Sequence, residues 1–333
     1  MLGDQPVGKL MRRIRALAAA SVICSALVWG QTVAPPRSGQ PVPRRAGKVH
    51  ASFHMEVVVA QANAAAVVPA AASQDPREIV RRAALNDMAN DQRARDYTFI
   101  ENEVLHKLGA GGKPVSTETR VYEFMMLYGE PVRRLIARDG KPLSAKEAAK
   151  QEDKINELMR KRERETPEQR QKRLEKYEKE REQERAFVGE VADAYYFHLL
   201  VEEMINGRPA WVISGDPRPD FHAHLKEARI LPNFRFKVWV DKAECQWVKL
   251  DADVIDTVSF GWLLARLYPG SRLVINETRV NNEVWLPEHV DLKLNARLAL
   301  LKKYNLEEAI DYSNYRKFRA DSHIVSGPPV QPR

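Results

Sequence analysis

Between Tyr97 and Phe318 apolar and polar residues alternate almost throughout, and this period of two constrains the chain more than anything else in it. In FRFKVWVDKAECQWVKLDADV (234–254) the alternation runs through Val240, breaks at Asp-Lys-Ala-Glu and resumes. Side chains that alternate in this way point to opposite faces of a strand, so the stretch reads as a β-hairpin. The same pattern predicts strands over Tyr97–Leu108, Ser116–Tyr128, Val132–Arg138, Tyr195–Val201 and Ala210–Gly215. It continues over Phe234–Val240, Gln246–Val258, Arg272–Val280, Val284–Leu298 and Ala309–Phe318. GAGGKP and Gly129-Glu130-Pro131 separate the first three, while Asn206-Gly207 and Asn281-Asn282 are two-residue turns whose residues accept positive φ.

Strands in meander order imply one large, curved antiparallel sheet. Its faces can be read from the alternation. Val290, Leu292, Leu294, Ala296 and Leu298 point one way, against Asp291, Lys293, Asn295 and Arg297. Phe234, Phe236, Val238 and Val240 share a face, as do Val248, Leu250, Ala252 and Val254. An apolar face needs cover, and the sequence offers little. Asp75 caps a helix with Pro76 at its first position and Glu78 as a third-position acceptor, and Ile79, Ala83 and Ala84 mark one side of it. VSFGWLLARL (258–267) is the other candidate. Cover this small leaves either a sheet that curls onto itself or an apolar groove.

Residues 144–190 break the pattern. Ser144 and Glu147 form a capping box, and Thr166-Pro167-Glu168-Gln169 restarts a second helix. From Lys146 to Arg185 there are 14 basic and 12 acidic residues with few apolar ones, a mixture typical of a solvated helix face. A partner-docking hairpin is the alternative.

The ends read differently. MRRIR (11–15) followed by the 14-residue apolar run 16–29 resembles a signal peptide over 1–30, the run being short for a membrane span. Val28 and Gly30 suit cleavage before Gln31. Cys24 follows Ile23, a poor context for lipidation. Residues 31–75, rich in Pro and Ala, read as a flexible linker, 76–320 as the folded domain, and 321–333 as a disordered tail. After cleavage Cys245 would be the one cysteine, which rules out an intramolecular disulfide. Three of the eight net positive charges belong to residues 1–30, so the basic balance points to no nucleic-acid partner.

Chemistry-bearing motifs are thin: there is no G-x-S-x-G, P-loop, G-x-G-x-x-G or H-E-x-x-H. His222 and His224 have the spacing to share one side of a strand, and Asp251 and Asp253 share a polar face. They are the best pieces of a metal-dependent hydrolase, but no third ligand is fixed by spacing. Trp239 and Trp247 fall on the polar sides of their strands. Facing each other across the hairpin, they would make a sheet-stabilising pair, a ligand wall or a partner contact.

The helix, the long meander, FRFKVWVDKAECQWVKLDADV, the late ETRVNNEVWLPEHV and the closing YSNYRKF together resemble the outer-membrane lipoprotein-sorting proteins, the LolA-like carriers and LolB-like acceptors. The resemblance covers roughly 76–320. It implies an α+β, mostly β fold: a half-open β-barrel with an N-terminal helix, here with a charged helical hairpin inserted. It also implies a periplasmic, non-catalytic protein without cofactor or metal that shelters the acyl chains of lipids or lipoproteins. The cavity wall expected on that basis is Phe124, Met126, Val238, Val248, Leu250, Leu292 and Leu294, with Trp239 and Trp247 as a possible further wall. The 144–190 helices are unlike the compact carriers and suggest an envelope interaction module as the alternative role.

Overall fold

The computed structural model describes residues 75–128, 130–260, 265–298 and 302–318. The expected signal peptide, the linker up to Gln74 and the 321–333 tail lie outside them. Helix α1 (Pro76–Ala94) leads into strands β1 (Tyr97–Leu108), β2 (Pro114–Leu127), β3 (Glu130–Arg138) and β4 (Lys141–Pro142). Helices α2 (Ala145–Glu163) and α3 (Pro167–Ala194) follow, then β5 (Tyr195–Ile205) and β6 (Arg208–Pro217). A 3-10 helix (Glu227–Asn233) precedes β7 (Phe234–Asp241), β8 (Trp247–Val254), β9 (Val258–Phe260) and β10 (Ala265–Leu267). The chain closes with β11 (Arg272–Val280), β12 (Val284–Leu298) and β13 (Lys302–Lys317).

The strands form a single antiparallel sheet in the order β4-β3-β2-β1-β13-β12-β11-β8-β7-β6-β5, with β10 paired to β12 and β9 to β10. The sheet is open: β4 and β5 end its main strand order, and β9 ends the short branch. An open antiparallel sheet with an N-terminal helix and an inserted helical hairpin is the architecture the alternation predicts. Asn206, Asn281 and Asn282 sit at φ of 48°, 52° and 57°, the left-handed region that their turns require.

The position of the insertion follows from that order. β4 and β5 are separated by α2 and α3 in sequence and by ten strand spacings across the sheet, roughly 48 Å if flat. The 28 residues of α3 are about 42 Å long. The hairpin therefore carries the chain from one edge to the other. α2 packs against β3 with Ile155 buried, and Arg134 of β3 bonds Glu152. α3 ends against the 3-10 helix, where Ala194, Tyr195, Ala228 and Leu231 form one buried cluster. Arg77 of α1 bonds Asp193 and the Ala192 carbonyl. Both expected N-terminal caps are present, Ser144 with Glu147 and Thr166 with Gln169.

Three local expectations change. Asp75 caps α1 by accepting from the Arg77 amide, while Glu78 pairs with Arg81 at 2.7 Å instead of reaching back to the cap. The described residues of 258–267 are strand, where a covering helix is one expectation. They form the short strands β9 and β10, whose Val258 and Leu267 pack with Leu292, Leu294 and Ala296. Finally, β8 pairs Lys249 with Trp239 but Trp247 with Val240, so Val248 bulges out of register. The bulge inverts the alternation, placing Val248 on the face opposite Leu250, and it separates the two tryptophans: Trp247 packs with Ile79 and Ile213, Trp239 with Val212 and Trp285.

Core packing leaves no room for a side chain at Gly215. A Cβ there would lie 2.5 Å from the ring of Phe236, its cross-strand partner, which is itself edge-on to Tyr195 at 4.7 Å. Gly215→Ala should destabilise the fold by about 1–3 kcal/mol, measured as a lowered urea midpoint at unchanged slope, because the half-buried Phe236 ring must be displaced from its packing against Tyr195 and Phe197.

Candidate functional site on the inner face of the sheet

Helix α1 lies on one face of the sheet, against β5, β7, β8 and β12. Ile79 and Ala83 supply the apolar part of this seam, meeting Trp211, Ile213, Val238, Val240, Trp247 and Ile275. One turn further on, the buried side becomes polar. Asn86 donates to the carbonyls of Glu244 and Cys245 at 2.8 and 2.9 Å, clipping the helix to the β7–β8 turn. The Asn90 side chain both donates to and accepts from the Trp285 backbone, at 2.7 and 2.8 Å, substituting for a strand neighbour on β12. Asp87 is buried and accepts from Gln246 at 3.0 Å. Glu277 of β11 is buried beside it.

Two carboxyls in so little water hold their protons. Burial, with the neighbouring Asp91 adding to it, pushes Asp87 up to about 8. Burial first and the Asp87 charge second raise Glu277 well above the usual carboxylate range. For the helix residues the sequence signal is the spacing 79, 83, 86/87, 90/91, 94, a helical stripe in which polar members continue an apolar one; Glu277 has no such signal.

Beyond α1 the inner face runs over β13, β1, β2 and β3. One end is aromatic: Phe99 stacks on Phe124 at 4.3 Å, with Tyr312 edge-on to Phe99 at 5.6 Å and Met126 and Phe318 alongside. A charged belt follows. Arg133 lies 2.5 Å from Glu101 and 3.2 Å from Glu103, with its guanidinium 4.1 Å above the Tyr122 ring. Arg120 bridges Glu103 at 3.3 Å and Glu118 at 2.6 Å. Burial works against the charge on Arg133, but Glu101 and Glu103 outweigh it and its pKa is raised. On the far side of the belt Leu105, Leu294 and Leu306 return to apolar packing.

The nine wall residues expected from sequence are distributed over four places. Phe124 and Met126 belong to the aromatic end. Val238, Leu250 and Trp247 pack beneath α1. Leu292 and Leu294 sit with Val254, Val258 and Leu306. Val248 and Trp239 stand on the outer face with Trp285, where the Trp239 indole donates to Glu203 at 2.8 Å. A separate, open cleft of about 410 Å³ lies between β3 and α2, lined by Leu135, Leu143 and the charged Arg138, Glu147, Lys150, Asp153 and Lys154.

The hydrolase pieces are not assembled. His222 is exposed, and the exposed His224 lies 3.6 Å from Glu190. Asp251 pairs with Arg272 at 2.5 Å. Among the described residues no group of three or more His, Cys, Asp or Glu is arranged for a metal ion, and no helix is long and apolar enough to cross a membrane. Cys245 is half-buried, and burial first of all raises its thiol pKa, the opposite of what a reactive thiolate needs.

No protein-family model and no curated protein matches this chain. Solved structures with a similar fold include a putative outer membrane lipoprotein-sorting protein domain from Vibrio parahaemolyticus, at 13% identity and TM-score 0.30, covering 73% of this chain and 95% of that one. A LolA superfamily protein from Nitrosomonas europaea gives 14% identity and TM-score 0.24 over 74% and 94% of the two chains. A DUF1329 family protein from Desulfovibrio piger ATCC 29098 gives 11% and 0.26 over 74% and 95%. At TM-scores this low the likeness carries no functional argument.

The α1 seam predicts an unusual pH dependence. A carboxyl protonated in the folded state and ionised in the unfolded one stabilises the fold below its unfolded pKa, near 4, and that contribution is lost as pH rises through the folded value. Thermal melts should therefore show stability falling between about pH 5 and pH 8, the value to which Asp87 is raised. Asp87→Asn, which keeps an oxygen for Gln246, should flatten the fall. An equally steep decline in the variant would show that Asp87 does not cause it.

Proposed function

We propose that this is an exported, non-catalytic protein of the cell envelope whose inner sheet face shelters an acyl chain of a lipid or lipoprotein. The reading rests above all on the strip formed by Phe99, Phe124, Met126 and Phe318, an apolar seat bordered by the Arg133–Glu101–Glu103 belt. Such a surface suits an amphipathic guest: the chain lies against aromatic rings and the polar end meets the charged belt. Each methylene removed from water would contribute about 0.8 kcal/mol. Residues beneath α1 face that helix and on this reading take no part.

Detergent-free protein should bind a fluorescent long-chain fatty acid and carry lipid in native mass spectra. Phe99→Ala, at a half-buried ring of the strip, should weaken binding at least tenfold, whereas Leu250→Ala, under α1, should lower stability and leave binding alone. Absence of bound lipid together with no fatty-acid binding would end this reading.

A second reading, partner docking through α2 and α3, is favoured by the solvent-facing mixture of charge on α3, where Arg170, Lys172 and Lys179 are all exposed. Excising the hairpin is a poor test because it joins the two sheet edges. Reversing those three charges to Glu keeps the crossing, and on this reading it should abolish partner capture while leaving the melting temperature unchanged.

A further inference from the structure

β5 is an edge strand whose one strand neighbour among the described residues is β6. Edges of this kind template pairing with another chain unless charge, proline or a cover blocks them. Here the side chains invite it. Tyr196, Leu199, Leu200, Val201 and Met204 are 50%, 38%, 46%, 54% and 65% exposed, and they make up half of the large exposed apolar residues among those described.

We propose that β5 pairs antiparallel with β5 of a second copy of this chain, continuing the sheet across a two-fold axis. The bulge in β5 selects the register. Leu199 lies opposite Ile213 but Val201 opposite Val212, so Leu200 is extra and the alternation shifts there by one. Up to Leu199, even-numbered side chains share the outer face. From Val201 the odd-numbered ones do, as the bond from outer-face Trp239 to Glu203 shows.

A two-fold axis perpendicular to the sheet must match outer face to outer face. Sliding one strand past the other leaves one central arrangement that does so along its whole length, with Leu200 opposite the partner's Val201. That register sets His198 opposite the partner's Glu203, Phe197 opposite the partner's Met204 and Tyr196 opposite the partner's Ile205. An imidazole N–H facing a carboxylate, aromatic on thioether and aromatic on aliphatic are favourable cross-strand pairs, and they outnumber the one mismatch, Leu199 opposite the carboxylate at position 202. No like charges meet. Side-chain complementarity in the one face-consistent register, set by the strand's own bulge, is what points to a second copy instead of an arbitrary extended peptide.

Sedimentation equilibrium on the purified full chain should show a monomer–dimer equilibrium. Val201→Lys, at an exposed site, should raise the dimer dissociation constant at least tenfold, about 1.4 kcal/mol, with an unchanged melting temperature measured where both proteins are monomeric. The register is tested in a Cys24→Ser, Cys245→Ser background. A mixture of His198→Cys and Glu203→Cys proteins should form a disulfide dimer under mild oxidation, while neither protein does so alone, because like positions in the two copies are five residues or about 16 Å apart. A wild-type chain that stays monomeric at its solubility limit overturns the proposal, as does a dimer indifferent to Val201→Lys. A mixture that cross-links no faster than its components also overturns it.

Discussion

The sheet's architecture depends on the pairing of its first long strand with its last. β1 and β13 run antiparallel over nearly their whole lengths, from Tyr97 opposite Lys317 to Lys107 opposite Leu306. Once that pairing forms, the first and last strands lie in the middle of the sheet and the ends of its strand order come from interior segments, β4 and β5. Something must then cross from one edge to the other. The charged helices do this, which explains why the insertion is long, rigid and poorly supplied with apolar residues: its ends are anchored while its middle bridges.

The same topology gives the inner face two characters. Over β5–β8, β11 and β12 it is sealed by α1, whose amides Asn86 and Asn90 bond backbone at a turn and where β12 runs past its pairing with β13. Over β13 and β1–β3 the wall is amphipathic, aromatic at one end with an arginine–carboxylate belt across it. Ion pairs at such depth gain little net stability, since desolvation offsets most of the attraction. Their value lies in fixing geometry, and the belt is the boundary that any guest on the aromatic strip would meet.

Much of this was legible in the chain. β1, β11 and β12 begin and end where the alternation says, and both helix caps of the insertion follow from four-residue signatures. The failures are instructive. A single extra residue, Val248, parted Trp239 from Trp247, because a period of two carries no memory across a bulge. Glu277 looks like an ordinary surface residue in sequence, and the stripe that includes Asp87 and Asn90 does not say what lies beneath it. Their burial depends on which strand passes beneath the helix, and that is non-local.

Local stereochemistry thus determined the elements by itself: strand alternation, asparagine turns and capping boxes act over a few residues and read the same in any fold. Which strands became neighbours, which edges were left open and which polar side chains were sealed in were decided only when residues more than a hundred positions apart came together. Those outcomes depend on packing and desolvation between distant segments, for which the linear order holds no signal.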